Sequence, residues 1–291
     1  MTITVLMSVY RSERPVFLNK AIRSIMEEQT LLPNELVLVE DGPLSEELCA
    51  VIKMWKDKLG QQMTIITNKE NLGLTKSLNQ GIEIISSDLI ARMDTDDIST
   101  PTRLELQTKF LESHPDIDIL GGAILEIDEN EHILNKRFYP VDNAAVLKSI
   151  YRANPIAHST VMIRRRLFDN GLRYNEKYRT NQDLNLWFDA IYKGYKIANL
   201  DDVVLKFRRL SSVYHRRRKR KNLWTEFCIY NNGIRRIYGL CSFKYIYPLM
   251  RLFLKFMPTC VVKWAYESNI RRIVTEHNIQ QNTDEQLTET E

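Results

Sequence analysis

Cysteine is scarce in this 291-residue chain: Cys49, Cys228, Cys241 and Cys260, with no CxxC pair and no metal-ligand spacing among them. The thiols suit a reducing compartment better than a disulfide framework. No uncharged apolar run reaches about 18 residues, so a conventional transmembrane helix is not expected. The opening stretch MTITVLMSVYRSERP lacks a basic start and a small-residue cleavage site; it reads as a first strand rather than a secretory signal. No glycine-rich loop follows that strand, which excludes a P-loop and a dinucleotide fingerprint. Apolar residues (44%) and charged residues (27%) are present in ordinary proportion, enough for one large or two modest domains with a real core.

Charge is distributed unevenly. The net +4 conceals 17 Lys and Arg against 2 Asp and Glu over residues 203–275, and 24 against 30 over residues 1–202. The last 16 residues hold five acids and no Lys or Arg. A slightly acidic body, a strongly basic segment and a short acidic tail follow from these counts, and the basic segment calls for an anionic partner.

Along the body, apolar runs alternate with helically spaced segments. TITVLMSVY, NELVLVEDG, MTIIT and DLIARM read as strands. PVFLNKAIRSIMEEQ, SEELCAVIKMWKDKLG with Gly60 as C-cap, and GLTKSLNQGIEII read as the helices between them. STPTRLELQTKFLESHP predicts a helix capped by Thr100 with Pro101 at its first position. DIDILGGAILEID predicts a fifth strand bent at Gly121-Gly122. This β-α-β-α-β-α-β order predicts an α/β fold with a doubly wound, mostly parallel sheet. Ligands of such sheets sit at the carboxyl ends of strands near the switch in strand order. Ser8 and Tyr10, Glu40 and Asp41, and Asp94 to Asp97 all fall at strand ends.

The stretch IARMDTDDIS carries three carboxylates in four positions, Asp94, Asp96 and Asp97. Such hard oxygen donors suit Mg²⁺ or Mn²⁺ shared with substrate phosphates, and a cation relieves their mutual repulsion. The competing reading is a helix start whose acids favour the helix dipole. Asp41 reads either as a turn residue of an Asp-Gly pair or as a second functional carboxylate. Asp183, in RTNQDLNLWFDA, either begins a helix or serves as a general base. Trp187 and Phe188 in the same segment read as core. His158, in NPIAHSTV, reads as a structural histidine or as a group facing donor phosphate, metal or acceptor.

Taken together, VLMSVYRSE, ELVLVEDGP, NKENLGLTKSLNQGIEIISSDLIARMDTDDIS and NQDLNLWFDA resemble, in order and separation, the motifs of the family 2 inverting nucleotide-diphospho-sugar glycosyltransferases of GT-A fold. The resemblance covers roughly residues 3–210, and NPIAHSTVMIRRRLF is similar to the acceptor side of bacterial surface-polysaccharide members. It implies that Asp41 hydrogen-bonds the nucleotide base, the uracil of a UDP-sugar, with Ser8, Tyr10 and Glu40 in the same donor-binding region. It implies Lys76 at the base or phosphates, where the plain alternative is an exposed helix lysine. Asp97 would hold Mn²⁺ or Mg²⁺ on the diphosphate, Asp96 the ribose or the metal bridge, and Asp94 would support the turn. Asp183 would be the catalytic base. The chain departs from the family at Glu40 and Gln182, where Asp and Glu are usual, and at Pro43, where Ser is usual. His158 and Gln182 stand as further donor or acceptor contacts.

The implied activity is metal-dependent sugar transfer with inversion to a glycan or lipid-linked acceptor in surface-polysaccharide or lipopolysaccharide assembly. Residues 1–210 form the expected catalytic domain. Residues 211–275, with six cations at 216–221 and aromatic residues among the charges further on, read as interfacial helices on an anionic inner leaflet. The competing reading is a helical subdomain packed on the body. No nucleic-acid module is recognisable, so nucleic acid is not an expected partner. Residues 276–291 read as a disordered acidic tail. The expected location is cytoplasmic, peripheral on the inner face of the membrane. The same residues admit two alternatives. One is a haloacid-dehalogenase-like phosphatase with Asp94 as nucleophile and Asp96 as acid. The other is a non-catalytic membrane-associated assembly subunit.

Overall fold

A computed structural model describes residues 1–209 and 220–256. The strands are β1 (Ile3–Val9), β2 (Glu35–Glu40), β3 (Met63–Thr67), β4 (Leu89–Arg92), β5 (Ile98–Ser99), β6 (Ile117–Ile127), β7 (Ile133–Arg137), β8 (Met162–Arg164) and β9 (Lys196–Arg208). The helices are α1 (Pro15–Met26), α2 (Glu46–Leu59), α3 (Leu74–Ile84), α4 (Arg103–Ser113), α5 (Asn143–Ser149), α6 (Arg166–Asp169), α7 (Gln182–Tyr192), α8 (Arg220–Tyr238) and α9 (Ile246–Phe256). They form one mixed sheet in the order β3-β2-β1-β4-β8-β6-β9-β5, with β7 paired to β6. β3, β2, β1 and β4 run parallel. β8 lies antiparallel between β4 and β6, and β6 and β9 are again parallel.

The continuous apolar runs of β1 and β2 are explained by cover on both faces of the sheet. Val5, Met7, Leu36 and Leu38 face one core with Leu18, Ile22 and Ile25 of α1, Trp55 of α2 and Leu104 of α4. Leu6, Val37 and Val39 face a second core with Leu78 and Ile82 of α3 and Leu184, Trp187 and Phe188 of α7. Each such side chain contributes about 1.5–3 kcal/mol on leaving water. Successive strand residues point to opposite faces, so a parallel strand covered twice cannot alternate with polar residues. α1 begins with Pro15 in its first turn. Ser45 caps α2 by accepting from the Leu48 backbone N–H, and Gly60 (φ +56°) ends that helix.

Three expectations are corrected. α4 begins at Arg103, not at Pro101, because residues 98–99 form β5 and pair with β9. Thr100 therefore donates its hydroxyl to the Val203 carbonyl instead of capping the helix. The acids of 94–97 thus do not start a helix. The strand expected over DIDILGGAILEID is present as β6, which includes Gly121 and Gly122. The glycines serve close approach: a Cβ on Gly121 would lie 2.3 Å from Asn199 Oδ1, and one on Gly122 2.7 Å from Val204. The pairing of β6 with β9 does shift register between Gly122 and Ala123.

The compact unit continues to Lys244, beyond the boundary expected at 210. The reason is that α8 buries Leu223, Ile229, Tyr230 and Ile234. Tyr230 packs edge-on against Phe188 of α7 with ring centres 5.9 Å apart. The α8 part of the basic segment thus packs on the body with one face. A second unit begins at Tyr245 and includes α9. The cations at 216–219, the stretch 257–275 and the tail 276–291 lie outside the described residues.

Candidate functional site

β1, β2 and β4 end side by side, and the strand order 3-2-1-4 switches direction between β1 and β4. Ser8 lies in β1 opposite Val39, and Tyr10 follows the strand end; both are half-buried. Asp41, just past β2, is buried, and its carboxylate is already engaged. Oδ1 accepts from the backbone N–H groups of Leu72 (2.8 Å) and Gly73 (3.1 Å). Oδ2 accepts from Asn71 Nδ2 (3.0 Å) and again from the Gly73 N–H (3.0 Å). Asp41 thereby fastens the Asn-Leu-Gly loop that leads into α3. Gly42 permits the contact, since it has φ +89° and a Cβ there would lie 2.6 Å from the Asn71 nitrogen. Glu40 accepts from the Thr67 hydroxyl at 2.7 Å. Lys76 is exposed on α3.

Asp94, Asp96 and Asp97 each bring a carboxylate oxygen to within 4.8 Å of the others. They differ sharply in their surroundings. Both oxygens of Asp94 are held by the Arg92 guanidinium, one at 3.0 Å. Asp97 is fully buried. Its Oδ1 accepts from the Arg208 backbone N–H at 2.8 Å; the Ser159 hydroxyl also acts on the carboxylate, but the buried Oδ2 has no partner within hydrogen-bond geometry. Asp96 is half-buried, and its backbone carbonyl accepts from Arg208 Nε at 2.9 Å. Burial, then the charge of Asp94, pushes the Asp96 carboxyl up to about 6. Burial, then Asp96 and Asp94, pushes Asp97 well above the usual carboxylate range.

Part of the positive charge that this crowding requires is built into the chain. Arg92 and Arg208 are buried, and so is Arg103. Arg103 donates to the Arg92 carbonyl at 2.9 Å, and burial brings its guanidinium down to about 9. Arg208 also lies 4.1 Å from the centre of the Phe17 ring and pairs with Glu131 at 3.1 Å. Sequence reasoning missed all three arginines. The one local signal was Arg92 within the apolar run LIARM.

Asp183 sits in the first turn of α7. Asn154 Nδ2 donates to its Oδ2 at 2.6 Å. Burial raises its pKa, against the opposing effects of the Leu184 backbone N–H, the Asn154 amide and the Arg92 charge. His158 Nε2 lies 2.7 Å from the Tyr174 hydroxyl, and its ring meets Trp187 edge-on. Burial, then the Arg92 charge, holds His158 well below its ordinary pKa, so the imidazole is neutral. Gln182 is buried beside Asp183, and Trp187 and Phe188 are core. The Arg92 charge acts on Asp96, Asp183, His158 and Tyr174 alike. That charge is thus felt by the acid cluster and by the α7 carboxylate. Asn154 and Tyr174 were not singled out from sequence, because only the fold brings them to Asp183 and His158.

The donor set fits a divalent ion. It offers hard carboxylate oxygens, an orphaned buried oxygen on Asp97, and two carboxyls whose repulsion a cation would relieve. Asp183 has the character of a proton acceptor, being a carboxylate raised by burial and oriented by one amide.

The family model for glycosyl transferase family 2 matches residues 4–172. The amylovoran biosynthesis glycosyltransferase AmsE of Erwinia amylovora is 34% identical over 267 residues, covering 91% of this chain and 98% of that protein. The Escherichia coli UDP-Gal:alpha-D-GlcNAc-diphosphoundecaprenol beta-1,3-galactosyltransferase is 28% identical over 274 residues, covering 93% and 97%. The crystal structure of S. aureus TarS 1-349 in complex with UDP-GlcNAc superposes with a TM-score of 0.59 at 16% identity, covering 88% of this chain and 82% of that one. The sheet described above is accordingly of the GT-A type.

Proposed function

The chain belongs to glycosyl transferase family 2, and from that premise we propose that it moves a sugar from a UDP-sugar to a hydroxyl of a lipid-linked glycan, with inversion, during assembly of a surface polysaccharide. One observation carries the reading. A half-buried carboxylate oriented by the Asn154 amide (Asp183) and a three-carboxylate turn (Asp94, Asp96, Asp97) both feel the charge of the buried Arg92, which itself holds Asp94, in a GT-A sheet. The names of the relatives support the setting: amylovoran synthesis for one and a diphosphoundecaprenol-linked acceptor for another. The UDP-GlcNAc complex of the structural neighbour supports the donor class.

Asp97, through its unpartnered Oδ2, and Asp96 would hold Mn²⁺ or Mg²⁺. Asp94 supports the turn, because Arg92 occupies both its oxygens. When bound, the ion neutralises charge that builds on the departing diphosphate. Asp41 acts on the donor pocket through the 71–73 loop it anchors. Ser8, Tyr10, Glu40 and Lys76 remain the proposed donor contacts. Asp183 takes the proton of the acceptor hydroxyl as that oxygen bonds to the anomeric carbon. The bond from that carbon to the diphosphate oxygen breaks, and its electron pair leaves with the UDP. Attack from the face opposite the leaving group inverts the centre. His158, neutral and bonded to Tyr174, shapes the acceptor side together with Gln182.

Among the described residues no helix is long and apolar enough to cross a membrane. The cation-rich 203–275 segment supports peripheral placement on the cytoplasmic face, where a lipid-linked acceptor is presented. A titration of UDP-glucose, UDP-galactose and UDP-N-acetylglucosamine, each with Mn²⁺ or Mg²⁺, tests the donor reading. Metal-dependent binding or slow hydrolysis of one of them is the expected result. Binding that ignores both metal and uridine would overturn it.

A further inference from the structure

A cleft of about 390 Å³ lies away from the strand-end crevice, between the segment preceding α7, α7 itself and α8. Its walls include Asn175 and Tyr178 from the segment, Asn185 and Asp189 from α7, and Asn232 and Arg235 from α8. The volume is that of a small-molecule site, roughly 300–1,000 Å³. The lining side chains end in amides, a carboxylate, guanidinium groups and a phenol, which offer hydrogen-bond partners beside their apolar stems.

The polar groups fall into two sets. One set is satisfied within the protein. Asp189 accepts from Asn185 Nδ2 at 2.7 Å and pairs with Arg236, whose guanidinium also lies 4.2 Å from the centre of the Tyr192 ring. The other set faces the cleft with capacity left over. Among the described residues Arg235 forms no ion pair, and the Asn232 amide makes no hydrogen bond. Arg235 and Arg236 against Asp189 leave one positive charge in the lining. Amides both donate and accept, as sugar hydroxyls do, and an unpaired guanidinium selects a carboxylate or phosphate.

Position argues against the reacting sugar as the occupant. At 3.6 residues per turn, Asn185 and Asp189 stand about 200–240° around α7 from Asp183. The cleft is therefore on the far flank of that helix. One wall nevertheless belongs to the segment that runs to Asn181, held at φ +56°, and then to Asp183. Thr75 of α3 donates to the Tyr178 carbonyl at 2.7 Å, which ties the same segment to the donor side. We propose that this cleft binds an anionic saccharide, a part of the acceptor beyond the sugar that reacts. Its assignment to the acceptor rests on the glycosyltransferase reading; the saccharide binding does not.

The test is calorimetric or saturation-transfer titration of the full chain with glucuronic acid, glucose 1-phosphate, glucose and inorganic phosphate. UDP binding is measured in the same samples. Glucuronic acid and glucose 1-phosphate should both bind more tightly than glucose and than phosphate. Arg235→Ala should weaken them about tenfold, the loss expected for one charge-assisted hydrogen bond. Arg235→Lys should recover part of that loss, and Asn232→Ala should weaken glucose and the charged sugars alike. Both residues are exposed, so the variants fold, and UDP binding should not change. Phosphate binding as well as the charged sugars would reduce the cleft to a bare anion patch and overturn the proposal. Glucose binding as well as glucuronic acid, or no effect of either variant, would overturn it too. A wild-type chain that binds the charged sugars but not UDP would instead sink the donor reading and leave the cleft standing.

Discussion

Asp183 is the base proposed above, the carboxylate of the α7 first turn that the Asn154 amide orients. Asp183→Asn keeps the shape and removes the proton acceptor. Transfer should fall by about 10²–10⁴-fold while the donor dissociation constant stays within about twofold, measured by single-turnover transfer and by calorimetry. Full activity in that variant would remove Asp183 as the base. The same residue sets the pH dependence. Its working form is the carboxylate, and burial raises its pKa. Activity is therefore present above that raised value and is lost as pH falls through it, at a higher pH than the ~3.9 of an ordinary aspartate. The Asn154 amide opposes the rise. Asn154→Ala should thus move the acid limb of the kcat/KM profile further up in pH. A limb that stays in place, or moves down, would show that the amide does not tune this carboxylate.

At the scale of elements, the contact of α7 with α8 is the support on which Asp183 rests. Gly233 of α8 lies so near α7 that a Cβ would meet the Phe188 ring at 2.2 Å, and that ring is buried in the second core. Gly233→Ala should cost about 1–3 kcal/mol by overpacking, read as a lowered urea midpoint, and should reduce transfer more than donor binding. A midpoint equal to wild type would mean that α8 is not held as described. This contact also marks where the sequence stops being legible. β1 to β4 and the helices between them could be read directly, because a parallel strand covered on both faces leaves a continuous apolar run. Asp94, Asp96 and Asp97 could be found because three carboxylates in four positions are locally improbable without a partner. β5 could not be read: a two-residue strand exists only through its pairing with β9, and that pairing displaced the expected start of α4. Arg92, Arg103 and Arg208 escaped for a related reason. Their partners are set by strand order, and Arg208 is 111 residues from the aspartate that its backbone N–H serves.

At the scale of the whole molecule, the chain divides its charges between two tasks. The strand-end crevice gathers acids around buried arginines. Chelation of divalent ions should abolish transfer, and Mn²⁺ or Mg²⁺ should restore it; activity that persists in chelator would refute the metal assignment to Asp96 and Asp97. Membrane attachment is the task proposed for the basic segment, and α9 is one described part of it. Ile246, Leu249, Met250 and Phe253 are all more than half exposed at spacings of 3, 4 and 7 from the first, the pattern of one helix face. An apolar face within a chain segment of 17 Lys and Arg against 2 Asp and Glu suits the headgroup region of an anionic bilayer, where apolar burial and charge attraction add. The full chain should therefore float with vesicles of 30% phosphatidylglycerol and not with pure phosphatidylcholine, and 0.5 M salt should weaken the association through screening. Phe253→Glu should weaken it further, because it places a like charge against the anionic surface and removes apolar area together. If only salt matters and Phe253→Glu binds as wild type, attraction is purely electrostatic and the α9 face is not inserted. If neutral vesicles bind equally, the basic segment is not what draws this protein to lipid.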